Sequence, residues 1–375
     1  RLRESALQGE KKTAGLRPAL EFSADLENVF GDNQFNDTDS AELTLTLSRV
    51  IELGGKRAAR LGIANERQQQ LATEKRILEL DLLAEVTRRF IHVVAAQHRL
   101  ALQAQAILLA EETLNAIKQR VDAGRAPKPE LARARAALTQ SRLAHSQAQR
   151  TLNIKRVKLA ALWAASPANF ESANADLLTL EPPEPLDKLL GKLENNPDIS
   201  IYANEARIRE AELKLTRSER WPSFEPSLGY RQFENSDNSA MVFGFSMPLF
   251  TQQRAKGAIA KAEAEHLNVE NQRNIALIEM RAQMLELYQE YEQAFEEVEA
   301  LKNNVLPQLK QALNETQNAF NKGRYSYLDW KAAQQERLEV ELTLINAAAR
   351  AHHLHAQMER LSDNALIADN TRGAQ

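Results

Sequence analysis

The stretch Glu42-Leu43-Thr44-Leu45-Thr46-Leu47-Ser48 alternates apolar and polar residues without a break. Leu20-Glu21-Phe22-Ser23-Ala24-Asp25-Leu26-Glu27 does the same. A period of two places one residue class on each face of a strand. The polar stretch containing Gly31, Asp32, Asn33, Asn36, Asp37 and Asp39 lies between them, so the pair reads as a hairpin. A second hairpin is expected from a strand over 223–233, a turn at Glu234–Asn238 and a strand over 240–250. Met241, Phe243, Phe245, Met247 and Leu249 fall on one face of its second strand.

Outward from the hairpins the period changes. The chain of 375 residues holds only 13 Gly and 12 Pro. That is about 7% of residues, against about 12% in an average globular protein. None falls within Ile63–Ala123, Glu130–Ser166, Ala258–Leu306 or Arg324–Arg372. All four stretches are rich in Ala, Leu, Glu, Gln, Lys and Arg, strong helix formers. Helices of such length cannot be buried on every side and must lie side by side in a coiled-coil-like array. Leu131, Leu138, His145, Leu152 and Leu159 recur every seventh residue.

The order of elements occurs twice. The first repeat covers 1–166: a partial helix 1–16, hairpin 17–53, long helix 57–122, tip turn 123–127 and helix 128–166. A Pro-rich linker, 167–196, carries Pro167, Pro182, Pro183 and Pro185. The second repeat covers 197–362: helix 197–220, hairpin 221–250, long helix 254–321, tip turn 322–325 and helix 326–362. A tail, 363–375, follows. Arg17-Pro18 matches Trp221-Pro222, Leu47-Ser48 matches Phe245-Ser246, and Gly124-Arg125 matches Gly323-Arg324, at offsets that drift by only a few residues. By the same alignment Arg1 lies inside a helix whose start is missing, so the natural chain is expected to extend upstream.

Composition narrows the function. The formal charge of −3 gives no reason to propose nucleic acid as a partner. No run of 18 apolar residues is present. The absence of cysteine removes disulfides and thiolate metal sites. No P-loop, dinucleotide fingerprint, Gly-x-Ser-x-Gly or His-Glu-x-x-His motif occurs. The chain is therefore expected to be neither an enzyme nor a cofactor binder. Two amphipathic hairpins are unstable alone. They can pack as a small soluble sheet, or join hairpins from other subunits and close a barrel whose apolar faces meet lipid. With strands of ten or more residues, the second arrangement crosses a bilayer.

Several motifs sharpen this choice. Asn196-Pro197-Asp198-Ile199, Phe245-Ser246-Met247-Pro248-Leu249-Phe250, Ala123-Gly124-Arg125 and Lys322-Gly323-Arg324-Tyr325-Ser326-Tyr327-Leu328-Asp329, set in the duplicated plan, resemble the TolC family of outer-membrane efflux channels. Arg49-Val50-Ile51-Glu52-Leu53-Gly54-Gly55-Lys56-Arg57 is similar to the CzcC-like heavy-metal efflux branch. The resemblance implies a mainly α protein with membrane β structure, in the outer membrane of a Gram-negative bacterium with a large periplasmic part. It implies a homotrimer with a twelve-stranded β-barrel and a twelve-helix α-barrel, and an equatorial collar formed by the linker. Its partners would be outer-membrane lipid, a periplasmic adaptor (membrane fusion protein) and an inner-membrane proton-driven resistance-nodulation-division pump. The chain would be the passive exit duct of that tripartite system, for divalent heavy-metal cations. A drug-efflux or type I protein-secretion duct shares the plan. A periplasmic coiled-coil adaptor or scaffold, without a barrel, is the alternative of a different class. Family members are often lipidated on an N-terminal cysteine, a position that falls in the upstream segment expected above.

Specific residues follow from that reading. Gly124 and Gly323 are expected as left-handed helix caps. With Arg125 and Arg324 they form the implied adaptor-contacting tips. Asp329 and Glu130, each six residues past a tip glycine, are candidates for an acidic ring at the channel mouth. Three like charges in such a ring bind cations and resist full ionisation. The competing reading is a carboxylate at a helix N-terminus. Ala332 stands where a second acid often occurs in the family. Leu43, Leu45, Leu47, Phe243 and Phe245 are the lipid-facing strand candidates. His352, His353 and His355 have no adjacent acidic partner and read as a solvated helix face, and His145 as an interhelical residue. Trp221 is a candidate for the membrane interface.

Overall fold

The fold is described from a computed structural model over residues 1–30, 38, 40–165, 167–236 and 238–362. The first expected turn, Gly31–Asp39, lies almost wholly outside these residues, as do Ser166, Asp237 and the 363–375 tail. The chain divides into two compact units, one formed by Arg1–Ile77 with Pro197–Leu277, the other by Leu78–Asn196 with Ile278–Gln375. Among the described residues, no helix is long and apolar enough to cross a membrane.

The first unit holds a four-stranded antiparallel sheet ordered β1-β2-β3-β4. Its strands are β1 (Leu20–Glu27), β2 (Glu42–Arg49), β3 (Glu225–Phe233) and β4 (Asn238–Ser246). Each is eight or nine residues long, shorter than the ten or more expected. Proline sets part of that limit: Pro18, Pro222 and Pro248 stand just outside strand ends, and proline donates no ladder hydrogen bond.

The two hairpins meet through β2 and β3. Leu43 faces Gln232, Leu45 faces Tyr230 and Leu47 faces Leu228. The outer ladders pair Phe22 with Leu47, Leu26 with Leu43, Leu228 with Phe243, and Pro226 with Phe245. Directly opposed residues point to the same side of a sheet. Leu43, Leu45, Leu47, Phe243 and Phe245 therefore share one apolar face, and Phe243 and Phe245 are 77% and 79% exposed. The opposite face is polar and internally bonded. Arg231 donates to Thr44 Oγ1 at 2.9 Å and pairs with Glu42 at 3.1 Å and Glu27 at 3.6 Å. Ser48 donates to Glu225 at 2.5 Å. Thr44, beneath Arg231, is only 5% exposed. This face is also the crowded one: a Cβ at Gly244 would lie 2.7 Å from Ser227 Oγ.

Around the sheet, α1 (Leu2–Ala14), the first part of α2 (Lys56–Asp122), α5 (Pro197–Ser218) and the start of α6 (Thr251–Ala300) complete the unit. Ion pairs lace them together: Arg67 with Glu10 and Glu212, Arg207 with Glu66, and Arg217 with Glu263. Asn204 donates to Thr73 at 2.7 Å. Trp221 is exposed and lies against Gly54, which has φ +75°.

The second unit contains the remainder of α2 and α6, with α3 (Lys128–Ala160), α4 (Leu186–Lys192), α7 (Leu306–Asn321) and α8 (Tyr327–Ser362). The heptad of α3 is its buried stripe: Leu138, Leu152 and Leu159 are buried, and Leu131 and His145 half-buried. Two expectations change here. Helix 254–321 is not continuous, because a π-helical turn over Leu301–Val305 separates α6 from α7. Pro307 follows it in the first turn of α7, where its missing N–H is tolerated. Helix 128–166 ends earlier, α3 stopping at Ala160 before a 3₁₀ turn at Ala161–Trp163.

The linker is also more ordered than an irregular connection, containing α4 and a strap across three helices. Gln97 of α2 exchanges two hydrogen bonds with the Ala173 backbone. His352 of α8 meets Leu177 O at 3.1 Å, and Lys302 donates to Leu178 O at 2.8 Å. Tyr291 of α6 donates to Glu181 O at 2.5 Å.

Gly244→Ala is expected to lower stability by on the order of 1 kcal/mol through overpacking against Ser227. Adding Ser227→Gly should recover most of that loss. Thermal unfolding of the wild type and the three variants in detergent checks this pair.

Candidate functional site at the helical tips

Both tips lie in the second unit and close with the same hydrogen-bond motif. At the first, Gly124 N–H donates to Val121 O at 3.0 Å and Arg125 N–H to Arg120 O at 2.7 Å. At the second, Gly323 N–H donates to Phe320 O at 2.8 Å and Arg324 N–H to Ala319 O at 2.9 Å. Each is a Schellman cap, whose turning residue must be left-handed. Gly124 has φ +70° and Gly323 φ +75°. Little occupies the space where either would carry a Cβ, so φ rather than room demands glycine. Arg125 and Arg324 are exposed.

Side chains lock the tips together. Arg120 of α2 donates to Phe320 O at 3.2 Å, and its guanidinium lies 4.4 Å from the Phe320 ring centroid. Phe320 packs on Trp330 with ring centroids 4.8 Å apart. Ile117, Ala134, Leu313 and Tyr327 complete the buried cluster. One turn further in, Gln334 donates to Thr113 Oγ1 at 2.9 Å in a buried pair. The glycine spacing does not reveal this cluster, because its members come from four helices.

The two candidate acids occupy the third residue of the helix that leaves each tip: Glu130 in α3 and Asp329 in α8. Their local chemistry differs. Ser326 caps α8, and Asp329 accepts from Ser326 N–H at 2.9 Å and Oγ–H at 2.7 Å, while its own N–H meets Ser326 Oγ at 3.2 Å. This is a reciprocal capping box. Its signal, Ser-x-x-Asp, is legible in the sequence. The side-chain and then the backbone hydrogen bond from Ser326 hold the Asp329 carboxyl below the usual aspartate range. α3 instead follows Pro127, which offers no side-chain cap. Asp329 is exposed and Glu130 half-buried.

The histidines lie apart from the tips, against the strap. A cavity of about 180 Å³ is lined by Phe90, Ile91, Asp176, His352, His355 and Glu359 among others. Burial, followed by the Glu181 charge, pushes Glu359 up to about 7. Burial lowers His355 and His352. His355 Nδ1 and Glu359 Oε2 are 3.7 Å apart. Because burial favours the neutral form of each, we count this contact as packing rather than as an ion pair. His352, His353 and His355 are half-buried rather than on a solvated face, since the strap and neighbouring helices cover them. Among the described residues, no group of three or more His, Asp or Glu side chains is arranged to hold a metal ion.

A duplicated helical plan, a sheet with one apolar face, and paired glycine tips are thus joined in one chain. The family model for outer membrane efflux proteins matches residues 6–165 and 192–362. The chain belongs to the outer membrane efflux protein family. It is 27% identical over 320 residues to the cobalt-zinc-cadmium resistance protein CzcC of Cupriavidus metallidurans, covering 85% of this chain and 76% of that protein. It is 23% identical over 255 residues to the nickel-cobalt-cadmium resistance protein NccC of Alcaligenes xylosoxydans xylosoxydans, covering 68% of this chain and 57% of that protein. The outer membrane protein VceC of Vibrio cholerae shares the fold with a TM-score of 0.76 and 20% identity, over 98% of this chain and 92% of that one. This member is an outer-membrane efflux channel with a large periplasmic helical part, a transport protein and not an enzyme. A coiled-coil scaffold without a barrel is set aside by the family match, which spans both hairpins.

Gly124→Ala and Gly323→Ala should each destabilise their tip by about 1 kcal/mol, the cost of a left-handed alanine. Faster amide exchange confined to residues around 119–125 or 319–324 would report it. A second expectation concerns pH. The folded Glu359 value lies above its ordinary one, so the folded chain holds a proton that the unfolded chain has lost. Stability should therefore fall as pH rises from about 4.5 to about 7 and level off above. Glu359→Gln should raise the unfolding midpoint at pH 8 by a few degrees and leave it unchanged at pH 4. Thermal melts at the two pH values test this.

Proposed function

We propose that three copies close a twelve-stranded barrel and a twelve-helix tunnel. This duct receives divalent heavy-metal cations from a resistance-nodulation-division pump through a periplasmic adaptor. The resistance to cobalt, zinc, cadmium and nickel named in the relatives carries the substrate reading. The sheet supports the closed barrel: β1 and β4 are its edges, with no further strand paired to them among the described residues. A membrane accepts no open edge. The exposed Gly124-Arg125 and Gly323-Arg324 turns are the surfaces offered to the adaptor. Asp329 and Glu130, at equivalent positions past the two tips, line the mouth with like charge. No nucleotide or ion-coupling motif is present in the sequence, so transport through the duct is passive and its energy comes from the pump.

Deleting the gene should sensitise the host to zinc, cobalt, cadmium or nickel and leave antibiotic tolerance unchanged. The reverse pattern would assign the duct to drugs. In planar bilayers, Asp329→Asn should reduce cation-over-anion selectivity severalfold and Glu130→Gln less. Unchanged selectivity in both variants would remove the acidic mouth.

A further inference from the structure

The end of the sheet that carries the helices holds a basic recess. α1 leads into β1 and α5 into β3, while α2 leaves β2 and α6 leaves β4. All four helix connections therefore lie at one end of the strands, and the turn at Glu234–Ser236 lies at the other. The helical part of the channel is periplasmic, so this end meets the periplasmic leaflet of the outer membrane. A recess of about 340 Å³ opens there between the approach to β1, the end of β2 and the start of α2. Its walls carry four bases, Arg17, Arg49, Lys56 and Arg57, and one acid, Glu52. The two oxygens of Glu52 are already engaged, accepting from Arg60 at 2.6 and 2.8 Å. The recess therefore holds more positive charge than the chain neutralises.

Two of the bases are anchored and two are free. Lys56 Nζ donates to Ser223 Oγ at 2.8 Å, and Arg57 Nε donates to Gly15 O at 2.6 Å. Both acceptors are uncharged, so neither base is neutralised. Arg17 and Arg49 have no hydrogen bond or ion pair among the described residues. A guanidinium offers N–H donors in a planar fork that fits two phosphate oxygens at once. Two unoccupied forks beside two anchored cations match a phosphate-bearing anion.

The strand register places that phosphate at the border of the apolar face. Arg49 opposes Leu20, as Leu47 opposes Phe22 and Leu45 opposes Ala24. Opposed residues share a side of the sheet, and so do alternate residues of one strand. Leu43, Leu45, Leu47 and Arg49 therefore form one row, and the row changes from leucine to arginine at the strand end. Leu47 lies about 7 Å from Arg49 along the strand. Leu20, Phe22 and Leu47 are 61%, 68% and 43% exposed. Trp221, 58% exposed, packs on Gly54 in the connection from β2 to α2, and tryptophan favours the membrane interface. A soluble anion would use only the bases. An anion with hydrocarbon chains uses both surfaces, its phosphate among the bases and its chains on the apolar row.

We infer that this recess binds the headgroup of an anionic phospholipid of the periplasmic leaflet. Arg17 and Arg49 hold the phosphate, and the acyl chains lie along Leu20, Phe22 and Leu47. The four bases favour a headgroup of net negative charge over a zwitterionic one. This site is independent of the cargo and of the number of copies that close the barrel.

The test uses the full chain purified in detergent and mixed with phosphatidylglycerol or phosphatidylcholine of equal chain length, with bound lipid counted by native mass spectrometry. Phosphatidylglycerol should be retained severalfold more than phosphatidylcholine, and equal retention overturns the inference. This comparison needs only the wild type. Arg17→Ala with Arg49→Ala should cut phosphatidylglycerol retention about tenfold, while Arg17→Lys with Arg49→Lys should keep most of it. Neither arginine has an internal partner, so both variants should keep wild-type helical content. Undiminished retention in the folded alanine variant overturns the inference. Arg150→Ala with Lys188→Ala removes two exposed bases elsewhere and should leave retention unchanged. A loss there equal to that of the alanine variant marks a general charge effect and also overturns it. A large excess of inorganic phosphate should not displace the lipid. Displacement would assign the recess to a soluble phosphate and overturn the lipid assignment.

Discussion

The β2–β3 ladder is the interaction on which the sheet depends. It joins Ser48 to Glu225 and Thr44 to Arg231, pairs of residues far apart in sequence, and so binds the hairpins of two repeats into one surface. Neither hairpin is stable alone. Once joined, they place every polar alternating residue of β2 against a partner on β3. Arg231, near the turn end of that face, ties the second hairpin to the first through Glu27, Glu42 and Thr44. The apolar face follows without further instruction, because a period of two leaves Leu43, Leu45, Leu47, Phe243 and Phe245 on the other side. In hydrocarbon, unpaired backbone groups cost several kcal/mol each. The edges β1 and β4 therefore make closure with other sheets a physical requirement, which the proposed trimer would meet.

The tips show how duplication keeps geometry while sequence drifts. Both use a Schellman cap on a left-handed glycine, and both place an acid third in the following helix. The capping partner has changed: Ser326 completes a reciprocal box at one tip, while Pro127 fixes the backbone at the other. Proline lacks the donor that the helix start does not need, so either residue begins a helix. Only serine also binds the acid. The equivalence of the tips is therefore one of backbone, and their electrostatics differ.

The sequence is legible where a feature is local or periodic. Alternation in β1 and β2, the scarcity of glycine and proline, and the matched Gly-Arg turns place the hairpins, long helices and tips. Features set by tertiary contact are not legible. The π-helical turn at Leu301–Val305 falls, just before Pro307, in a stretch that the sequence reads as one helix over 254–321. The strap over 173–181 is recorded only in hydrogen bonds to Gln97, His352, Lys302 and Tyr291. His352 and His355 look solvent-facing by composition and are covered by that strap. Glu359 is an ordinary helical acid in the sequence, and burial beside Glu181 gives it its unusual proton affinity.

The capping role of Asp329 supports the channel-mouth role proposed for it. In a ring of three carboxylates, mutual repulsion raises the proton affinity of each and tends to neutralise one of them. A neutralised ring attracts cations less. The hydrogen bonds from Ser326 act in the opposite direction, because they stabilise the ionised carboxylate. They are made within the helix start, so they are present in each copy whatever the state of its neighbours. A helix cap thus supplies the local bias that a ring of like charges lacks, and it fixes the carboxylate's position as well. Among the described residues Glu130 has no such capping donor, because α3 follows Pro127. Of the two acids, Asp329 is the one whose ionised form the helix cap stabilises, which suits the mouth proposed for it.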